Sequence, residues 1–546
     1  MGYHPNLISI EINDSATFPY LNLSGCPNLH SLSLYLSHNP IYSPIYDPLL
    51  PNVDMYINIK DGNLLQFGNI QISRTTVYIC VDEGEQTSLH YNVDNSFFST
   101  YCTFIPGGNY NTMAGTLTFD GDNNGCDASD NTIPFIPIQV TDSLNTVLSS
   151  SISDGTYNVY TGVGTFTLMP QFENDWFTVA PATVTFADNN NNTATQNFCV
   201  AANGVHNDVE VVIISVIPAQ PGFDAIYKVI YKNKGNQTLS GNVSISYDDT
   251  VLDYVSASTA PSSSAAGSLT WSYDNLLPFE TRIINVTLNA NGPMEIPAVN
   301  IDDVFNFTAA ITPTTGDETP TDNVFVLTQT VVGSYDPNDI TCLEGATVSP
   351  DKIGEYLHYN INFENTGTAP ATFIAVKDVI DTTKYDISTL QVLYASHPME
   401  ARVTGNKVEF YFGDINLGAT EKGNVTFKIK TLETLTVNSS VMQKADIFFD
   451  YNWPIVTNEA TTTFAILSMG DFVKDNSVTV SPNPSNGIVN ISAKAEIKSV
   501  QLYDVQGRLL QAANGTTIDV SNRAAGLYFV KVMTAKGMKV EKLVRE

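Results

Sequence analysis

Short runs in which apolar and polar residues alternate fill almost the whole chain, and Gly, Pro, Asn, Asp, Ser and Thr punctuate them. Thr, Val, Ile and Tyr dominate the runs and patterns of helical period are nearly absent, so the chain is predicted to be mainly β. The alternation is clearest from Ser477 onward. Val478 and Val480 precede the turn Pro482-Asn483-Pro484-Ser485-Asn486-Gly487, where proline sets φ and glycine permits positive φ, so the chain must reverse. A compact β-sandwich is expected over 472–546.

Near the start the apolar positions follow another rhythm. Leu21-x-Leu23-x-x-Cys26-x-x-Leu29-x-x-Leu32-x-Leu34, followed by Asn39 and Ile41, has the spacing of a leucine-rich repeat, in which a short strand supplies alternate leucines to a solenoid core. Weaker phrases flank it at 7–12 and 53–59. The expected organisation is a leucine-rich-repeat-like solenoid end over 1–78 and a cap or linker over 79–113, with ordinary leucine-containing strands of a β-domain as the competing reading. Degenerate units need neighbours and caps to hold their faces together, so the array is expected to continue upstream of Met1.

Two later stretches are versions of one another. Tyr227-Lys228-Val229-Ile230-Tyr231-Lys232-Asn233-Lys234-Gly235 matches Tyr359-Asn360-Ile361-Asn362-Phe363-Glu364-Asn365-Thr366-Gly367, each a strand running into an Asn-x-Gly turn. Leu269-Thr270-Trp271 corresponds in the same way to Val408-Glu409-Phe410. This repeat predicts two immunoglobulin-like sandwiches, over 204–332 and 333–468. Another sandwich is expected over 114–203, giving a string of four with the terminal one.

The terminal region resembles the type A C-terminal sorting domain of the type IX (Por) secretion system of the Bacteroidetes. The resemblance rests on Pro482, Asn483, Pro484 and Gly487, on Leu502-Tyr503-Asp504-Val505-Gln506-Gly507-Arg508, on Ala525-Gly526-Leu527-Tyr528-Phe529-Val530, and on the closing Lys542-Leu543-Val544-Arg545. It implies export across the outer membrane by the secretion machinery, removal of this domain by a sortase-like peptidase, and attachment of the remainder to the cell surface. The junction Gly333-Ser334-Tyr335-Asp336-Pro337-Asn338-Asp339 is similar to the opening of a β-domain that often precedes this signal. Such a cargo begins with a basic and then apolar signal peptide, which Met1-Gly2-Tyr3-His4-Pro5-Asn6-Leu7 does not supply, so a late start or a fragment is expected.

Charge and cysteine content agree with an extracellular chain. Asp and Glu number 56 against 25 Lys and Arg, a net charge of -31, which disfavours nucleic acid and anionic membrane surfaces. The most apolar run, Val211 to Ile217, is far too short to span a bilayer. An even count of six cysteines in an exported protein suggests disulfides, Cys80 with Cys102 and Cys126 with Cys199, leaving Cys26 and Cys342 unpaired.

Candidate chemistry is sparse. Asp120-Gly121-Asp122-Asn123-Asn124-Gly125-Cys126-Asp127 sets oxygen-bearing side chains ahead of a glycine, as calcium loops do, and is similar to the start of calcium-binding B-type repeats in surface adhesins, which are prealbumin-like sandwiches. Asp120, Asp122, Asn124, Cys126 and Asp127 are the candidate positions. Position twelve of the loop is Asn131 rather than a bidentate Glu, and an Asx-rich turn without metal explains the same residues equally well. The seven histidines are scattered, without a zinc helix, nucleophile elbow or phosphate loop. Paired acids such as Asp248-Asp249 and Asp302-Asp303 read as solvated turn residues. The sequence therefore predicts a non-catalytic, surface-displayed binding or adhesion protein whose extracellular ligand is unknown, with calcium as the one candidate cofactor. The alternative is the stalk and sorting end of a secreted hydrolase whose catalytic domain lies upstream.

Overall fold

The computed structural model describes residues 9–14, 20–24, 26, 29, 31–36, 55–62, 67–72, 77–82, 89–93, 96–102, 104–143, 147–465, 475, 477–504, 508–513 and 515–546. Among these the one helical element is a 3-10 turn at Pro350–Lys352; all other regular structure is strand. The chain forms two compact units, residues 1–465 and 466–546.

The first unit opens with a parallel ladder. Ser9–Asp14, Ser31–Leu36, Phe67–Ile72 and Leu89–Val93 pair in parallel as one sheet, and Tyr20–Asn22, Met55–Asn58, Val77–Cys80 and Ser96–Ser99 as a second. The described residues thus form two parallel sheets where the leucine spacing predicted one line of short strands. Register places Leu21 beside Ile57, Ile57 beside Ile79 and Ile79 beside Phe98, all buried. Leu23, Cys26, Leu29 and Leu32 are buried as well, so the leucine phrase does mark an inner face. The side chain of Leu34 and residues 7, 8, 39, 41, 53 and 54 lie outside the described residues.

Cys80 and Cys102 are disulfide-bonded and close the end of this ladder. The chain beyond them docks onto a module distant in sequence as well as onto the next one. Tyr101 packs on Phe448 at 4.5 Å between ring centroids, Phe104 stacks on Tyr411 at 4.4 Å, and the Arg402 guanidinium lies 4.3 Å over the Phe104 ring while donating to its carbonyl at 3.0 Å. Aromatic and guanidinium faces desolvated together hold the distant contact.

Three sandwiches follow. The first sets Asn111–Asp120, Thr156–Thr161 and Phe198–Ala202 against Ile138–Thr141, Val147–Ile152 and Gly164–Pro170 around Met113, Leu117, Tyr157, Leu168 and Val200. The second faces Val209–Ile217, Asp224–Asn233, Thr281–Ala290 and Leu252–Ala257 against Ser268–Leu276, Leu239–Ser246, Val304–Ile311 and Val324–Thr330. Along Ser268–Leu276 the alternation turns Leu269, Trp271 and Tyr273 inward. The third builds Asp339–Cys342, Tyr356–Glu364, Lys422–Thr431 and Tyr385–Ala395 against Glu400–Thr404, Lys407–Phe412, Ile374–Val379 and Ala445–Phe449.

These three are not beads on a string, as their order along the chain suggested. Val147–Ile152 of the first sandwich pairs antiparallel with Glu400–Thr404 of the third, from Leu148 opposite Thr404 to Ile152 opposite Glu400, merging two sheets into one of nine strands. An unpaired edge is a row of unsatisfied backbone groups, and pairing two edges removes both. Phe279 of the second sandwich enters the core of the first, 4.5 Å from Phe177 and 5.7 Å from Phe119.

Candidate functional site

The terminal unit shows how its motifs fit together. Thr479–Ser481, Ile488–Ser492 and Thr517–Asp519 form one sheet, and Leu509–Ala513, Ile497–Tyr503, Gly526–Thr534 and Gly537–Arg545 the other. The closing residues lie on the last strand, with Lys542 opposite Phe529, Leu543 opposite Tyr528, Val544 opposite Leu527 and Arg545 opposite Gly526. Leu543 is fully buried and Val544 exposed, as strand alternation requires. Asn483, between Pro482 and Pro484, clasps this strand: its Nδ2 donates to the Lys542 carbonyl at 2.6 Å and its Oδ1 accepts from Val544 N–H at 2.9 Å. Ser485 N–H donates to the Val544 carbonyl at 2.9 Å, Gly487 sits in the same turn, and Arg545 Nε donates to the Val520 carbonyl at 3.1 Å. The turn at 482–487 and the terminal motif are thus one structural element. Gly507 lies outside the described residues.

At the candidate calcium loop the structure changes the membership. Asp120, Asp122 and Asp130 each bring a carboxylate oxygen within 4.8 Å of the others. Asp127 turns away to Ser129, whose hydroxyl donates to it at 2.6 Å, and Cys126 is bonded to Cys199. Asn124 uses its side chain to donate to Asp122 Oδ2 at 2.8 Å, so it faces the acids as a donor. The loop's own amides occupy the carboxylates: Asn124 and Gly125 N–H donate to Asp120, and Gly121 and Asp127 N–H donate to Asp130. Asp130 escaped the sequence reading because counting along the loop placed the closing ligand at Asn131, one residue later.

A site the sequence did not suggest lies where the three sandwiches meet. A crevice of about 230 Å³ is walled by Phe172 and Glu173 of the first, Glu210, Lys232 and Lys234 of the second, and Tyr356, Gln391 and Lys430 of the third. Beneath it, Lys428 of the third sandwich is ion-paired with Glu210 of the second, both almost wholly buried. Lys234 reaches Asp322 at 2.8 Å, Glu173 at 3.2 Å and Asp208 at 3.4 Å. Burial works to raise the Glu210 carboxyl, and the Lys428 and Lys234 ammonium groups overcome it, holding it down to about 2. Burial raises Asp208 to about 6 and Asp322 to about 7 despite Lys234. It also pushes the Lys232 ammonium, on the crevice wall, down to about 8. The crevice can hold a small polar group between cationic and aromatic walls, and among the described residues no histidine or cysteine lines it.

The histidines whose side chains are described stand apart, His206 on Glu318, His358 on Glu344 and His397 on Ser396. Asp248 accepts from Thr250 N–H and Asp303 from Asn300 N–H, the turn geometry expected of them.

Residues 479–546 match the family described as a secretion system C-terminal sorting domain, and residues 336–463 match a domain of unknown function (DUF7619). No curated protein matches the chain. Among solved structures it is similar to the C-terminal domain of the Streptococcus pyogenes antigen I/II-family protein AspA, with 12% identity over 48% of this chain and 100% of that one and a TM-score of 0.17. It is also similar to the S. aureus collagen adhesin, with 13% identity over 48% of this chain and 95% of that one and a TM-score of 0.18. The T6 backbone pilin of serotype M6 Streptococcus pyogenes gives 14% identity over 63% and 81%, with a TM-score of 0.17. No helix among the described residues is long and apolar enough to cross a membrane. Residues 479–546 are a sorting domain of type IX secretion, and the protein that carries them is exported to the cell surface or released outside it.

Proposed function

We propose that the exported chain is a non-catalytic binding or adhesion protein, held on the outer cell surface after its sorting domain has been removed. The observation that carries this reading is the merging of the first and third sandwiches through Val147–Ile152 and Glu400–Thr404, with the ladder end docked on the same third sandwich through Tyr101 and Phe104. Shared sheets and buried aromatic contacts resist the hinge motion that independent modules show, which suits a mount that presents an N-terminal surface at a set orientation. The two-sheet ladder is read as the end of a leucine-rich-repeat-like array, and its exposed side as the part that meets an extracellular protein or glycan.

The test is binding of the purified chain, and of a variant lacking residues 1–113, to glycan and matrix-protein arrays. Binding is expected for the full chain and lost in the variant while export in cells continues. Turnover of a glycan or peptide by the product of the complete coding region, with a catalytic domain upstream, would replace this reading with that of a hydrolase stalk.

A further inference from the structure

One end of the second sandwich gathers more negative charge than its lysines neutralise. Asp208 immediately precedes the strand Val209–Ile217, and the loop before the strand Val324–Thr330 supplies Asp317, Asp322 and Asn323. A carboxylate oxygen from each of the three aspartates lies within 4.8 Å of the others. Asp208 and Asn323 are both 0% exposed. The oxygens Asp208 Oδ1, Asp322 Oδ1 and Asn323 Oδ1 are buried without a hydrogen-bond partner.

Neighbouring donors are all engaged on other atoms. Lys234 approaches Asp322 and Asp208 through their Oδ2 atoms, at 2.8 and 3.4 Å, and Thr319 Oγ1 donates to Asp208 Oδ2 at 3.2 Å. Asn323 Nδ2 donates to Asp317 Oδ2 at 3.2 Å, which sets this amide against the acids. The lysine therefore meets one oxygen each of Asp208 and Asp322 and leaves the other oxygen of each carboxylate orphaned. Buried oxygens without partners destabilise a fold unless a cation or donor meets them. A hard divalent ion takes oxygen ligands, and calcium accepts six to eight in irregular geometry, so side-chain oxygens supplemented by water suit it better than the strict octahedron of magnesium.

We infer that Asp208, Asp317 and Asp322 form a calcium-class cation site that pins the loop ending at Asn323 to the start of Val209–Ile217. It is separate from the loop at 120–130. Bound calcium stabilises only the folded second sandwich, so its effect is read as a rise in melting temperature.

The experiment compares thermal unfolding of the full chain in about 10 mM calcium, above the usual dissociation constants of extracellular modules, with unfolding in a chelator. A rise of about 3 °C or more is expected, retained in Asp120→Ala/Asp122→Ala and lost in Asp208→Asn/Asp322→Asn. No rise, or a rise abolished by Asp120→Ala/Asp122→Ala alone, overturns the site. Should Asp208→Asn/Asp322→Asn fail to fold, calorimetric titration of the Asp120→Ala/Asp122→Ala chain with calcium decides: one ion bound per chain supports the site, and none overturns it.

Discussion

Asn233 and Asn365 make the same three hydrogen bonds in two different sandwiches. Asn233 donates to the carbonyls of Gln237 and Leu276 and accepts from Gly235 N–H; Asn365 donates to Ala369 and Leu417 and accepts from Gly367 N–H, all between 2.7 and 3.0 Å. Each buried amide ties the end of one strand to the turn after it and to a facing segment. Replacing either by alanine leaves buried backbone groups unpaired, and a cost of about 3 kcal/mol is expected. Urea denaturation of Asn233→Ala and Asn365→Ala checks it. Equal losses mark the two positions as equivalents, and a loss below about 1 kcal/mol would show that water replaces the amide.

The Glu210–Lys428 pair joins the second and third sandwiches. Glu210→Gln leaves a buried ammonium short of its principal partner and is expected to cost about 3–5 kcal/mol, whereas Glu210→Gln/Lys428→Met recovers most of that loss. A double-mutant cycle by chemical denaturation measures the coupling. Additive single effects would mean that the pair contributes nothing to the joint.

Asp378 is 1% exposed, and burial pushes its carboxyl up to about 8 from an ordinary 3.8. With its amide nitrogen turned toward Asp378, Gln443 reaches both carboxylate oxygens at 3.2 and 3.3 Å. Between those two pKa values the folded chain keeps a proton that the unfolded chain releases, so stability falls as pH rises from about 4 to about 8. Asp378→Asn removes this dependence. Its folding constant is expected to gain on that of the native chain by about tenfold per pH unit between pH 5 and pH 8, read from denaturant midpoints. Parallel pH curves for the two proteins would refute it.

Deleting residues 542–546 removes Leu543 from the terminal core and both backbone partners of Asn483. Export is expected to stop in the periplasm, with loss of whole-cell protease shaving and of surface antibody labelling. Asn483→Ala breaks only the clasp and is expected to cost about 1 kcal/mol at this exposed position, with weaker export than the native chain. Full surface exposure of the deletion would disconnect the terminal strand from sorting.

Much of this was legible in the chain. Alternation revealed the strands, since Leu269, Trp271 and Tyr273 turn inward as a period of two demands. An exported context and an even cysteine count led to Cys80 with Cys102 and Cys126 with Cys199. The crevice was not legible. Nothing in the sequence sets Lys234, Glu210 and Lys428 apart from other charged residues, and only the meeting of three modules desolvates them together. Nor was the pairing of Val147–Ile152 with Glu400–Thr404, because backbone hydrogen bonding between two edges leaves no mark on either side chain pattern. Asp130 was missed for a third reason, a loop closed through its own amides one residue short of the calcium-loop count.

That edge pairing also bears on how the chain reaches its folded state. Strand Val147–Ile152 is made early and its partner Glu400–Thr404 late, with the whole second sandwich between them. Until the later segment arrives, the first sandwich carries an open edge able to capture a strand from another chain, and closing it is a contact of high order and therefore slow. The protein has most need of protection from aggregation during that interval, and a chain cut short before residue 400 would keep the hazard permanently.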